Sequence, residues 1–167
     1  KNNKNNIFDL RKDGLTMIKT ITQIDYLEDV ALVTVNNIPN STKNVSFILN
    51  EIASRDVTVD MICQTAPYKD KINLSFTVPQ DSLSDVIAAT TAFRSVSPDI
   101  STDLNGNNTK IILVGEGMRN TSGVAAQLFE LFAESNIKVK LITTGETEIS
   151  CLLDIKDIDA AKKLLAE

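Results

Sequence analysis

The sequence predicts an α+β fold of two ferredoxin-like βαββαβ units, one inserted in the other. Three observations carry this. "TVDMICQTA", residues 58–66, is matched by "KVKLITTGE", residues 138–146, at a constant spacing of 80 positions, so one element is written twice. Apolar residues switch repeatedly between a period of two and helical spacing, as strands alternating with helices require. The second copy also ends one element short, while "LTMIKTITQID", residues 15–25, stands before the first copy with β-branched composition and no place of its own.

Residues 1–14 read as a flexible linker, and 15–25 as the strand that completes the second unit, because an open sheet edge is normally avoided. The first unit, 26–106, opens with the strand "DVALVTV" (29–35) and breaks at the polar turn "NNIPNST". From Thr42 the spacing becomes helical, with Val45, Ile48, Leu49 and Ile52 on one face. "VTVDMICQT" (57–65) alternates inward through Val57, Val59, Met61 and Cys63; "KINLSFTV" (71–78) does so through Ile72, Leu74, Phe76 and Val78; "PYKD" turns between them. Pro79 ends that hairpin. Ser82 then caps a helix that faces Leu83, Val86, Ile87 and Phe93 inward, and "DISTDLN" (99–105) is the closing strand. The second unit, 107–167, repeats the plan: strand "KIILVG" (110–115), turn "EGMRNTSG", helix 124–135, strands 137–144 and 148–154, and helix 157–165.

A chain of 167 residues with 43% hydrophobic content is long enough for two cores of about 80 residues each. Its net charge of −5 argues against nucleic acid and anionic membrane surfaces, both of which call for clustered Lys and Arg. With no apolar run of membrane-spanning length and no signal-like start, the expected location is cytoplasmic. Cys63 and Cys151 fall in apolar strand patterns, where buried free thiols are common.

Catalytic chemistry is poorly represented. The absence of histidine removes most metal sites, the Ser-His and Cys-His pairs and the commonest general base. Asp157, in the short acidic run "DIKDIDAA", is more simply a helix cap. Gly115, Gly117 and Gly123 depart from the dinucleotide fingerprint, since Asn120 stands where the third glycine belongs, and the P-loop lysine pattern is missing. No catalytic residue, metal site or cofactor is therefore expected. What remains is a pair of strand-to-helix turns, "NSTKN" and "MRNTSG", whose free N–H groups suit a carboxylate. Asp60 is expected within reach of the first, and a carboxylate receptor beside an ammonium receptor is an amino-acid site. At the matching place the second copy carries Lys140, which either repels an ammonium or forms an ordinary salt bridge.

"VDMICQT", "VGEGMRNTSGVAAQLFE" and "NIKVKLITTGETEIS" closely resemble the regulatory region of bacterial aspartokinase, a tandem pair of ACT domains, over residues 21–167. The resemblance implies that one ACT unit is inserted in the other. It further implies that the region binds lysine, threonine or both and shuts down a separate kinase domain, expected before residue 1, to which ATP and Mg belong. Carried over by motif, the effector contacts are Ile38, Ser41, Lys43, Asn44 and Val45 at the helix start, then Thr58, Val59 and Asp60, with Gln64 and Thr65 at the far end of the strand. The matching positions of the second unit, Met118, Asn120, Gly123, Val124, Val139 and Glu146, are read as a second site. Asn40, Thr42 and Lys43 replace the Asp, Pro and Gly of the frequent Asp-x-Pro-Gly turn, and Gly145-Glu146 replaces Ser-Glu. With Lys140, the absent Asp-x-Pro-Gly looks like the lysine-sensitive members. The implied partners are the catalytic domain and a second copy in a homodimer. The rival expectation is an ACT-like module that dimerises without any ligand.

Overall fold

The computed structural model describes residues 20–166. Its elements are β1 (Gln23–Pro39), α1 (Thr42–Ala53), β2 (Ile62–Gln64), β3 (Lys71–Pro79), α2 (Leu83–Phe93), β4 (Ser101–Val114), α3 (Val124–Glu134), β5 (Val139–Thr144), β6 (Glu148–Asp154) and α4 (Ile158–Ala166). The strands hydrogen-bond in the order β2-β3-β1-β4-β6-β5, an antiparallel α+β arrangement. Two compact units result. One is Leu27–Lys110; the other joins the described residues up to Tyr26 to those from Ile111 onward.

Two pairs of expected strands are each a single long one. The strand expected at 29–35 runs from Gln23 to Pro39, through the part of 15–25 that lies among the described residues; 15–19 lie outside them. Likewise 99–105 and 110–115 are both within β4. The polar "NNIP", expected as a turn, is a bulged strand end. Val33, Val35 and Ile38 are all fully buried although 35 and 38 differ in parity, and the pairing register shifts between them. Asn37, at φ 60°, absorbs the extra residue and donates its N–H to Asn73 Oδ1 at 3.0 Å.

In the 27–110 unit, β3 alternates as the sequence says, with Ile72, Leu74, Phe76 and Val78 buried between β1 and β2. Lys69 and Asp70 both adopt positive φ in the two-residue turn closed by Tyr68 and Lys71, the type I′ requirement. Ser41 is extended (φ −155°, ψ 131°) and its hydroxyl accepts from the Lys43 N–H, which starts α1 and turns Ile48 and Ile52 into the core. In α2 two expectations fail: Ser82 makes no cap bond, a 3-10 turn at Gln80–Ser82 leading in instead, and Ile87 is exposed. The buried stripe is Val86, Ala89 and Phe93, with Ile87 about 100° around the helix from Val86.

The strand after α1 is the largest departure. Only Ile62–Gln64 pairs regularly, because Asp60 and Met61 together oppose Thr77. Asp60 N–H donates to Thr77 O, Met61 N–H to Thr77 Oγ1, and Thr77 N–H to Met61 O, each at 3.0 Å. Two residues against one is a β-bulge, and it reverses the alternation beyond it. Val57 and Val59 therefore join the core, whereas Met61 is buried outside it and Cys63 sits opposite Ser75, exposed rather than buried.

The other unit gathers Ile111, Leu113, Val124, Leu128, Phe132, Ile137, Cys151, Leu153 and Ile158 into a second core, against which Ile21, Ile24 and Tyr26 pack. Thr22 N–H bonds Val114 O at 2.8 Å beside them. Gly115 is required here, since a Cβ on it would lie 1.8 Å from the Thr20 carbonyl oxygen. Cys151 is fully buried, which pushes its thiol up to about 12. A thiol reagent at pH 8 under native conditions should modify Cys63 alone of the two cysteines, and both after denaturation; modification of both in the native chain would contradict this packing.

Candidate functional site

The expected effector residues of the 27–110 unit fall into two groups. Ser41, Lys43, Asn44 and Val45 lie at the start of α1, just past Pro39, whose pairing partner is Lys71. Gln64 and Thr65 share that end: Gln64 pairs with Leu74, and Thr65 exchanges bonds with Asn73, whose side chain holds Asn37. Ile38 is fully buried there and offers no side-chain surface. Thr58, Val59 and Asp60 belong to the opposite end, beside Thr77. From Lys71 to Thr77 is six residues of β3, roughly 20 Å along the strand. That is far longer than a free amino acid. Asp60 is thus not within reach of the "NSTKN" amides of its own chain: β2 begins at the end of the unit where α1 finishes, not where it starts.

Those amides are already engaged. Lys43 N–H meets Ser41 Oγ at 3.3 Å, and the N–H groups of Asn44 and Val45 meet Ser41 O at 3.0 and 3.2 Å. Asn44 Nδ2 donates to Pro39 O at 2.9 Å, tying the turn to the strand. The exposed side chains of Ser41 and Lys43 are what this end presents to a carboxylate.

At the other end, Leu27, Glu28, Asp29, Val30, Thr58, Asp60, Thr77, Val78 and Pro79 line a pocket of about 190 Å³. Val30, Val78 and Thr77 form a buried wall, and Leu27, 49% exposed, leaves an apolar rim. Asp60, its side chain 46% exposed, accepts from Lys110 Nζ at 2.7 Å, and the Lys110 side chain is only 9% exposed. Lys110 lies outside the motifs that carry the family resemblance. Its signal was a lone charge heading the apolar run "IILV", a position that calls for a buried partner.

In the second unit, Met118, Asn120, Gly123 and Val124 lie along the β4–α3 connection. Glu146 reaches it: its carboxylate meets Arg119 at 3.2 Å, and Gly115 N–H bonds Thr147 O at 2.9 Å. Val124 is buried and Gly123 has φ 87°. Val139 pairs with Leu153 at the far end of β5, away from Glu146. Lys140 takes the salt-bridge alternative, donating to Asp154 at 3.0 Å. The Lys156 N–H and then the Lys140 ammonium hold the Asp154 carboxyl below the usual carboxylate range. The copied position therefore carries an ion pair in both units, with the signs exchanged.

Among the described residues no group of three or more His, Cys, Asp or Glu side chains is arranged to hold a metal ion. No helix among them is long and apolar enough to cross a membrane.

An ACT domain family model matches residues 111–167. The aspartokinase of Bacillus sp. (strain MGA3) is 30% identical over 141 residues, 82% of this chain and 34% of that protein. A crystal structure of aspartokinase alpha and beta subunits contains a chain 31% identical to this one, with a TM-score of 0.77, over 87% of this chain and 95% of that one. The ligand-free regulatory subunit of aspartate kinase from Thermus thermophilus shares the fold at a TM-score of 0.78 and 24% identity, over 88% of this chain and 97% of that chain. This chain spans about a third of the length of the curated relatives it matches.

Proposed function

This chain belongs to the aspartokinase family, as its ACT-domain allosteric regulatory region, and from that premise we propose that it binds an end-product amino acid and thereby restrains phosphorylation of aspartate by a kinase domain. The observation that carries the reading is the match along 95% of a single chain in the alpha and beta subunit structure, together with an amphiphilic pocket in the 27–110 unit. Lysine or threonine is the effector, and Lys140 with the absent Asp-x-Pro-Gly turn favours lysine. The kinase partner is either covalently joined or a separate subunit.

The division of the effector residues favours a site built by two copies. Ser41 and Lys43 at one end of the unit and Asp60 at the other cannot grip one amino acid. Two chains related by a two-fold axis, meeting along the short exposed edge strand β2, bring the helix start of one to Asp60 of the other. The functional form is then a homodimer with effectors at its interface.

A thermal-shift screen of the twenty amino acids tests this. An effector at 100 times its dissociation constant stabilises by about 2.7 kcal/mol, a rise of roughly 5 to 10 °C for a chain of this length. Sedimentation velocity at tens of micromolar should give a dimer, tightened by the same amino acid. Silence across all twenty with a stable dimer would favour the ligand-independent assembly module instead, and a monomer under every condition would remove the two-copy site.

A further inference from the structure

Two neighbouring cavities open at the Asp60 end of the 27–110 unit, and they share Glu28, Asp29 and Pro79. They form one continuous trough. The first lobe, about 190 Å³, sets Leu27, Val30 and Val78 beside Asp60; the second, about 450 Å³, adds Gln80 and Asp81. Among the described residues no lysine or arginine lines either lobe. Lys110 meets Asp60 Oδ2 at 2.7 Å from the protein side, its own side chain only 9% exposed, and so offsets a single carboxylate. With Glu28, Asp29 and Asp81 also lining it, the trough keeps an excess of negative charge.

The placing of these carboxylates decides which cation fits. Among the described residues no three acidic side chains are grouped to hold a metal ion, so a divalent ion finds no cage of oxygens here. Asp60 lies opposite Thr77, which is two residues, roughly 7 Å along β3, from Pro79, and Asp81 comes after that. One ammonium cannot serve both ends. Beside Asp60 stands an apolar wall in which Val30 and Val78 are buried and Leu27 is half exposed, a surface that favours methylenes over water. We propose that this trough is a binding site for an aliphatic di- or polyamine, its chain against Leu27, Val30 and Val78 and its ammonium groups at the Asp60 and Asp81 ends, with Glu28 and Asp29 between. Such a ligand needs no carboxylate receptor, and the start of α1, roughly 20 Å away, takes no part in holding it. The proposal uses the pocket named in the effector reading but does not depend on that reading. The side chain of lysine is a second source of the same alkylammonium chemistry and forms a separate arm of the test.

The probe is cadaverine, titrated by NMR into the full chain at fixed ionic strength, with n-pentylammonium, pentanediol, magnesium and lysine as comparisons. An exposed ammonium–carboxylate pair is worth up to about 5-fold in affinity. Cadaverine should bind at least about 3-fold more tightly than n-pentylammonium, with shifts centred on residues 27–30 and 77–81, while pentanediol and magnesium leave those residues unmoved. Asp29→Asn and Asp81→Asn should each weaken cadaverine about 2- to 5-fold; Asn tolerates the positive φ of Asp29, so the backbone there is kept. Asp56→Asn, also at positive φ but outside the trough, is the control and should bind as wild type does. Asp60 is left in place because its loss would strand Lys110. Equal affinity for cadaverine and n-pentylammonium, a magnesium response at the same residues, or cadaverine binding untouched by both trough variants overturns the proposal. If cadaverine binds in this way and no amino acid binds at all, the effector reading fails and the polyamine site stands. If lysine binds and cadaverine does not, the polyamine site is overturned and the effector reading stands.

Discussion

Phe76→Ala is expected to destabilise the 27–110 unit by about 3 to 5 kcal/mol, a large fraction of the stability of a small domain. Phe76 is fully buried at the middle of β3, paired with Val33 on one side and Ile62 on the other. Its ring lies in the core that also contains Ile48 and Ile52 of α1 and Val86, Ala89 and Phe93 of α2. Truncation removes the transfer free energy of the ring and leaves a cavity that two helices and a sheet close only in part. Phe129, 41% exposed on α3, is the control: Phe129→Ala should cost less than about 1 kcal/mol. Urea unfolding of both variants measures the difference. A Phe76→Ala cost below that of Phe129→Ala would mean that the core is assigned to the wrong face of β3.

Asp60→Ala is expected to cost about 2 to 3 kcal/mol, and almost none of that cost should remain in a Lys110→Met background. The asymmetry of exposure decides both the size and the sign. Removing the outer carboxylate strands an ammonium whose side chain is 9% exposed, whereas removing the ammonium leaves a carboxylate that is 46% exposed and solvated. Lys110→Met alone should therefore be nearly neutral, within about 1 kcal/mol. The loss from Asp60→Ala is somewhat smaller than for a fully buried pair, because water reaches the carboxylate side. Chemical denaturation of wild type, both single variants and the double variant closes the cycle. Additive losses would show that the 2.7 Å contact carries no coupling.

The α+β plan with its inserted unit was legible because it rests on periodicity, and periodicity survives wherever a strand is regular. Phe76 and its neighbours on β3, and Ile48 and Ile52 on α1, all face where their spacing puts them. The departures in strand facing share one cause. At Asn37 and at Asp60–Met61 an extra residue is inserted in a strand, and each insertion reverses the parity that the alternation depends on. Cys63 therefore lies on the face opposite to the one its alternation predicts, and "NNIP" continues the strand where its composition predicts a turn. Nothing in the local composition marks a bulge: Thr77 accepts the Met61 N–H through its hydroxyl, a contact between residues sixteen positions apart. The candidate site was legible residue by residue and not as an arrangement. Ser41, Lys43 and Asp60 all stand in recognisable motifs, but which end of the unit each occupies depends on the direction in which α1 returns along the sheet. Lys110, brought to Asp60 across fifty positions of sequence, belonged to no motif.

The response of the kinase to amino acids tests the regulatory role most directly. Aspartate- and ATP-dependent phosphoryl transfer should be measured with this regulatory region joined to, or assembled with, its aspartokinase catalytic domain, while lysine and threonine are titrated separately and together. The predicted result is inhibition by at least one of them that saturates at the concentration where the same amino acid stabilises the isolated chain, and that shifts in parallel when Lys43 or Asp60 is replaced. Activity indifferent to both amino acids, in an assembly shown to contain folded regulatory chain, would contradict it.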